Sequence, residues 1–171
     1  MSVKKTLVIG LGNPYLGDDG VGVVTATRLE EVLENRIGDE ISITEASVGG
    51  VRLMETMIGF DRAILIDALK VQNPAPGRIH RWTLRDLGEL APTQHTASAH
   101  DTNLPTALMA GRRLGYRLPN EVMIFAVEVC NVDEFTERMH PEVEAAIPEL
   151  LRMVLAEIEL EPAPRAGFVS I

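Results

Sequence analysis

Apolar positions along the chain fall into two alternating periodicities. Thr6-Leu-Val-Ile-Gly-Leu11 is a short apolar run that reads as a strand buried on both faces. From about Gly20, Val21, Val24, Leu29, Val32 and Leu33 recur on roughly one helical face. Ile41-Ser-Ile-Thr-Glu-Ala46 alternates like a second strand. Ser47-Val-Gly-Gly50 then makes a flexible turn, and Val51 to Ile58 a short helix. Arg62 to Leu69 is a third strand with a near-continuous apolar centre, followed by a proline-containing loop from Val71 to Gly77. Gly77 to Leu84 alternates as an edge strand, and Asp86 to Leu90 reads as one helical turn. Ala91 to Thr102 is a polar loop of small residues; Leu104 to Leu114 is a helix; Glu121 to Glu128 is another buried strand. From Pro141, the spacing of Val143, Ile147, Leu150, Leu151, Val154 and Ile158 predicts a long amphipathic helix. An interior proline costs about 3 kcal/mol, so Pro148 predicts a kink or a fresh helix start. Residues after Pro162 read as a loose tail.

Strands alternating with helices predict an α/β domain spanning 1–171, built on a mainly parallel twisted sheet with helices on both faces. Ligands of such sheets bind beyond the carboxyl ends of the strands. The segments Gly12–Asp19, Ser47–Gly50 and Asp67 onward therefore share one rim.

Charge narrows the chemistry. The formal net charge of −9, with only three lysines, argues against a general nucleic-acid or anionic-membrane binder. The single cysteine, Cys130, excludes an internal disulfide and a cysteine-based zinc site, and suits a reducing cytoplasm. The apolar run behind Lys4 and Lys5 ends at glycines, too early for a signal segment or membrane span. A soluble cytoplasmic protein, expected as a monomer, follows.

The turn after the first strand is the richest stretch. Gly10, Gly12 and Asn13 turn the chain, but Pro14 and Tyr15 break the G-x-G-x-x-G pattern of a dinucleotide site. The turn closes on Asp18 and Asp19, whose charges would repel a pyrophosphate. One acid suffices to cap the helix; Asp18 fits that role and Asp19 projects toward the cleft. Asp67 follows the apolar Ala63-Ile-Leu-Ile66, where an unpaired carboxylate would be costly. His100 immediately precedes a helix that returns to the sheet, whereas His80, His95 and His140 read as surface residues. Asp19, Asp67 and His100 together offer hard oxygen and borderline nitrogen, which suits a divalent ion such as Ni²⁺, Zn²⁺ or Fe²⁺. No G-x-S-x-G elbow, Walker A loop or H-E-x-x-H motif competes. Cys130 reads as structural, with Glu128 and Asp133 near enough in sequence to raise its thiol pKa.

Gly10-Leu-Gly-Asn13 followed by Asp18-Asp-Gly-Val-Gly22 resembles the N-terminal motif of the hydrogenase maturation endopeptidases. The likeness continues, in order, through Ser47-Val-Gly-Gly50, Leu65-Ile-Asp-Ala68, Ser98-Ala-His100 and the helix containing Pro148. The resemblance implies a three-layer α/β/α sandwich. It also implies removal of a C-terminal extension from the large-subunit precursor of a [NiFe] hydrogenase after nickel insertion. The family's metal-binding acids fall on Asp19 and Asp67 and its histidine on His100. Nickel arrives with the precursor, and Ser47, Gly49, Gly50 and Asn13 are the expected substrate-contacting positions. The ion either polarises the scissile carbonyl or serves only as a recognition element beside acid–base cleavage by the two Asp residues; the residues leave both open. A non-cleaving, nickel-dependent binding module for the precursor would keep the same ligands. Gly10-Leu-Gly-Asn-Pro14 also resembles peptidyl-tRNA hydrolase, but Asp18-Asp-Gly20 stands where that family carries its histidine.

Overall fold

The computed structural model of the chain describes residues 4–34, 37–38, 40–90 and 104–159. Strands β1 (Thr6–Leu11), β2 (Ile41–Ala46), β3 (Arg62–Lys70), β4 (Ile79–Thr83) and β5 (Glu121–Val129) form one sheet in the order β2-β1-β3-β5-β4. The first three pairings across that order are parallel, and β4 closes the edge antiparallel to β5. The mainly parallel sheet and the edge strand at 79–83 match the sequence pattern.

Helices cover both faces, because the central strands are apolar on both. Helices α1 (Val21–Leu33) and α5 (Pro141–Glu159) lie on one face. There Val21, Leu29, Val143, Ile147, Leu150 and Val154 pack on Val8, Ile64, Ile66 and Phe125. Helices α2 (Gly50–Thr56) and α4 (Leu104–Arg113) lie on the other, where Leu53, Met54, Leu104 and Leu108 pack on Ile9, Leu11, Leu65 and Ile124. A short α3 (Leu84–Leu90) follows β4. The result is the expected three-layer α/β/α arrangement.

Topology sets the place of the site. From β1 the chain crosses by α1 to β2 on one side, then returns by α2 to β3 on the other side of β1. The direction of winding therefore reverses between β1 and β3. At such a reversal the connecting loops diverge to opposite faces and open a crevice beyond the strand ends.

Several local expectations change. Gly10 lies inside β1 rather than in the turn. A side chain there would meet the Gly22 carbonyl and, at 2.7 Å, the Ala26 Cβ. A Cβ on Gly22 would in turn run into the carbonyl oxygens of Leu11 and Ile66. These small residues let the start of α1 lie directly on β1 and β3. The buried residues of α1 are consequently Val21, Gly22, Val23, Thr25, Ala26, Leu29 and Leu33, and Val32 is exposed. Pro148 starts no new helix, for α5 runs unbroken from Pro141 to Glu159. Pro148 and Glu144, whose carbonyl the proline cannot bond, both lie on the exposed side, while Val143, Ile147, Leu150 and Val154 anchor the helix on either side of it.

One buried ionic group escaped the sequence reading. Arg62, at the first position of β3, bonds the carboxylate of Glu157 near the end of α5 and lies 3.2 Å from Glu121. Arg81 of β4 holds the other Glu157 oxygen at 2.8 Å. The group clamps α5 to the amino-terminal edge of the sheet, opposite the crevice. Glu157→Ala is expected to lower the unfolding free energy by about 3 kcal/mol, since it strips a buried guanidinium of its main partner. Equilibrium urea denaturation measures this, and a loss below about 0.5 kcal/mol, the range of ordinary surface substitutions, would refute the clamp.

Candidate functional site

The turn that leaves β1 begins at Gly12, whose φ of +120° favours glycine. A Cβ there would collide with the Asp19 carbonyl, so only glycine lets the turn fold back on itself. Asn13 then organises the turn from both sides. Its side-chain Oδ1 accepts the Tyr15 N–H at 3.0 Å, and its own N–H donates to Asp19 Oδ2 at 2.7 Å. A single 3₁₀ turn, Gly17–Gly20, carries Asp18 and Asp19 into α1.

Asp18 does not cap a helix. Neither the 3₁₀ turn nor α1 receives a side-chain cap, and Asp18 is fully buried. Its carboxylate instead accepts the N–H groups of Cys130 (3.1 Å), Asn131 (3.0 Å) and His140 (2.6 Å). Its own N–H donates to the Asn131 carbonyl at 2.8 Å. Those partners lie just past β5 and just before α5. Beside this knot, Gly17 N–H bonds the Thr136 carbonyl at 2.7 Å and Thr136 N–H bonds the Tyr15 carbonyl at 2.9 Å. The acid-bearing turn is thus stitched along its length to the segment that joins β5 to α5.

Asp19, the other acid, is half-buried and open to a different use. Among the described residues its Oδ1 has no hydrogen-bond partner, while Oδ2 is fixed by Asn13. Asp67 is 1% exposed. It sits three residues before the end of β3, and β1 pairs with β3 only as far as Ile66. Asp67 is therefore the first β3 residue beyond its pairing with β1, where the two strands part. One carboxylate oxygen accepts the Ala68 N–H at 2.8 Å. Strand alternation places Asp67 on the same face as Leu65 and Leu69, the face covered by α2 and α4. The 3₁₀ turn touches β3, so the turn bearing Asp19 and the strand bearing Asp67 meet at the crevice.

His100 lies outside the described residues, as does His95. The helix that His100 precedes in sequence, α4, packs on the Asp67 face. Among the described residues, no three His, Cys, Asp or Glu side chains gather into a metal-binding group. By residue type, the Asp19 and Asp67 carboxylates would suit a divalent ion such as nickel only with a nitrogen donor beside them. Of the expected substrate-contacting positions, Ser47 is exposed at the end of β2. Gly49 precedes α2 and Gly50, with φ +57°, begins it. Gly12 N–H bonds the Ala46 carbonyl at 3.1 Å, which ties the Ser47–Gly50 loop to the Asn13–Asp19 turn on one rim.

Two further groups differ from the sequence reading. Cys130 is exposed, with its thiol 3.5 Å from Asp18 Oδ2. Partial desolvation and then the Asp18 charge push its pKa up, which suppresses the thiolate. Glu128 and Asp133 are engaged elsewhere, so they are not the cause. Glu128 accepts the Ala75 N–H at 2.7 Å and meets His80 Nε2 at 2.8 Å, and Asp133 pairs with Lys70. His80 is accordingly no bare surface residue: it also stacks on Trp82, with ring centroids 5.0 Å apart. Burial pushes the Glu128 pKa up, but the Ala75 N–H, His80 and Arg78 together hold it below the ordinary range.

The sequence model described as hydrogenase maturation protease matches residues 23–157. The chain belongs to this family. Asp67 and His100 fall inside the matched range, and Asp19 just before it. The protease is 31% identical over 166 residues to the hydrogenase 2 maturation protease of Escherichia coli, covering 94% of this chain and 96% of that one. Its fold is similar to that of the hydrogenase maturating endopeptidase HybD from E. coli, with a TM-score of 0.71 at 30% identity over 95% and 98% of the two chains. The [NiFe] hydrogenase maturation protease HybD from Thermococcus kodakarensis shares the fold at a TM-score of 0.69 and 20% identity, over 91% and 99% of the chains. The protease is thus a peptidase of hydrogenase maturation. No helix among its described residues is long and apolar enough to cross a membrane.

The Asp18 knot yields a stability prediction for this protease. Asp18→Asn keeps the shape but turns an accepting oxygen into a donor facing other donors. Hydrogen bonds to a buried charge contribute about 1.5–3 kcal/mol each, so a net loss of about 3 kcal/mol is expected by thermal or urea unfolding. An unchanged stability would show that the knot holds nothing.

Proposed function

We propose that the chain removes the C-terminal extension of a [NiFe] hydrogenase large-subunit precursor after nickel insertion, acting as a monomer in the cytoplasm. The observation that carries this reading is the contact, in a family member, between the 3₁₀ turn that bears Asp19 and β3, the strand that bears Asp67. Nickel, in this account, is part of the substrate and is engaged by Asp19, Asp67 and His100. The donor types support that choice: two carboxylates and an imidazole suit nickel, and the Asp19 Oδ1 faces no partner among the described residues. An ion held there would polarise the scissile carbonyl or mark the precursor as loaded.

The chain's own residues supply the rest. Asn13 fixes the orientation of Asp19, so that one oxygen is held and the other presented. Asp67 is buried from bulk water, which strengthens its interaction with any positive centre brought to it. Ser47, Gly49, Gly50 and Asn13 line the rim along which an extended tail of the precursor would lie. Glycine at two of these positions leaves room for close approach of a second backbone.

Mass spectrometry of nickel-loaded precursor, before and after incubation, tests the reading. The wild-type chain should shorten the precursor, and nickel-free precursor should remain intact. Asp19→Ala, Asp67→Asn and His100→Ala should each slow processing by about 100-fold or more, the range for loss of a group that moves a proton or holds the reacting centre. Normal tail removal by any of the three would break the assignment, and a stable uncut complex with the wild-type chain would favour the binding-module reading.

A further inference from the structure

The crevice does not use every unusual feature of its rim. Phe135 is 83% exposed and Tyr15 52% exposed, and the two rings stack with centroids 6.2 Å apart and 17° between planes. A lone exposed aromatic needs no explanation, but this pair is rigidly presented. Tyr15 and Thr136, next to Phe135, are joined by the Thr136 N–H to Tyr15 carbonyl bond, and Leu16 bridges to Thr136. The Asp18 knot holds the roots of both segments. Two aromatic side chains are thus kept in water on a backbone that could not easily fold them away.

Their position joins them to the site. Tyr15 shares its turn with Asp19, and Asn13 bonds both, through Oδ1 to Tyr15 and through its N–H to Asp19. The pair therefore begins one step along the same turn from the crevice. Its rim is mildly acidic: Glu134 and Glu137 are exposed against Arg138, and Asp133 is paired with Lys70.

We propose that the Tyr15–Phe135 stack is a docking seat for an apolar side chain of the hydrogenase precursor, presented on a neutral or basic segment next to the bond that is cut. This rests on the functional reading above and deepens it by naming a specificity element. Pre-stacked rings offer a large apolar area at little entropic cost, which is why aromatic anchors dominate interface energetics. Binding at a seat outside the reacting centre is felt equally in the ground and transition states. It therefore lowers KM and leaves kcat alone.

Two measurements test the seat. Steady-state processing of nickel-loaded precursor by Phe135→Ala should show KM raised about tenfold with kcat within about twofold, the loss typical of a truncated aromatic anchor. Tyr15→Ala should shift KM in the same direction, and Phe135→Leu should recover part of the loss. Direct titration of the precursor should show the same ratio in Kd for Phe135→Ala. If the wild-type chain binds but does not cut, the functional reading fails and the Kd ratio still decides the seat. A KM and Kd unchanged within twofold in Phe135→Ala would overturn the proposal. So would a wild-type dimer, seen by sedimentation, that Phe135→Ala dissolves, since the rings would then belong to a second copy of the chain.

Discussion

A buried carboxylate that accepts three backbone N–H groups is the constraint on which the rest depends. Asp18 reaches from the β1–α1 turn to the segment between β5 and α5, more than a hundred residues away in the chain. A full charge out of water is costly unless its lone pairs are satisfied, and here backbone donors satisfy them. The knot fixes the 3₁₀ turn, and with it the neighbouring Asp19. It also fixes Tyr15 and the strip around Thr136. The geometry of the turn that carries Asp19 is thus set by a neighbour outside the proposed ligand set.

Close backbone packing completes the frame. Gly12 lets the turn fold back on Asp19, and Gly10 with Gly22 lets α1 rest on β1 and β3. Larger residues at these points would lift the helix and the turn away from β3. The pairing of β1 with β3 stops at Ile66, and the next β3 residue, where the two strands part, is Asp67. A second ionic group, Arg62 with Glu157, holds the opposite edge of the sheet. The sheet is therefore pinned at the amino-terminal end of its central strands by a salt bridge and at their carboxyl end by a carboxylate knot, and the proposed site lies at the knotted end.

Much of the fold was legible in the sequence, because alternating and helical periodicities are strong in this chain. Strands read at 6–11, 41–46 and 62–69 and an edge strand within 77–84 follow from apolar pattern alone, and the structure has them within a few residues of those bounds. Asp19 stood out as an acid beyond the one a helix start needs for its cap, and Asp67 as a charge at the end of an apolar run. Asp18 could not be told from a cap, since its partners lie at Cys130, Asn131 and His140 and local sequence carries no sign of them. The Glu157–Arg62 clamp was hidden likewise by 95 residues of separation. Glu128 did carry a readable signal, an acid after the apolar Ile124-Phe-Ala-Val127, which is the signal that marked Asp67. The long helix read from Pro141 onward is there, and Pro148 begins no fresh helix within it, because the buried apolar side chains of α5 on both sides of the proline outweigh one lost hydrogen bond.

The central claim is that precursor-borne nickel meets Asp19 and Asp67 at the crevice between β1 and β3. X-ray absorption at the nickel edge tests it most directly, on nickel-loaded precursor mixed with the chain and frozen within the first turnover. The account predicts that the wild-type chain adds oxygen or nitrogen ligands to the nickel and that an Asp19→Ala, Asp67→Asn double variant adds none. A nickel spectrum left unchanged by the wild-type chain, or changed equally by the double variant, would contradict it.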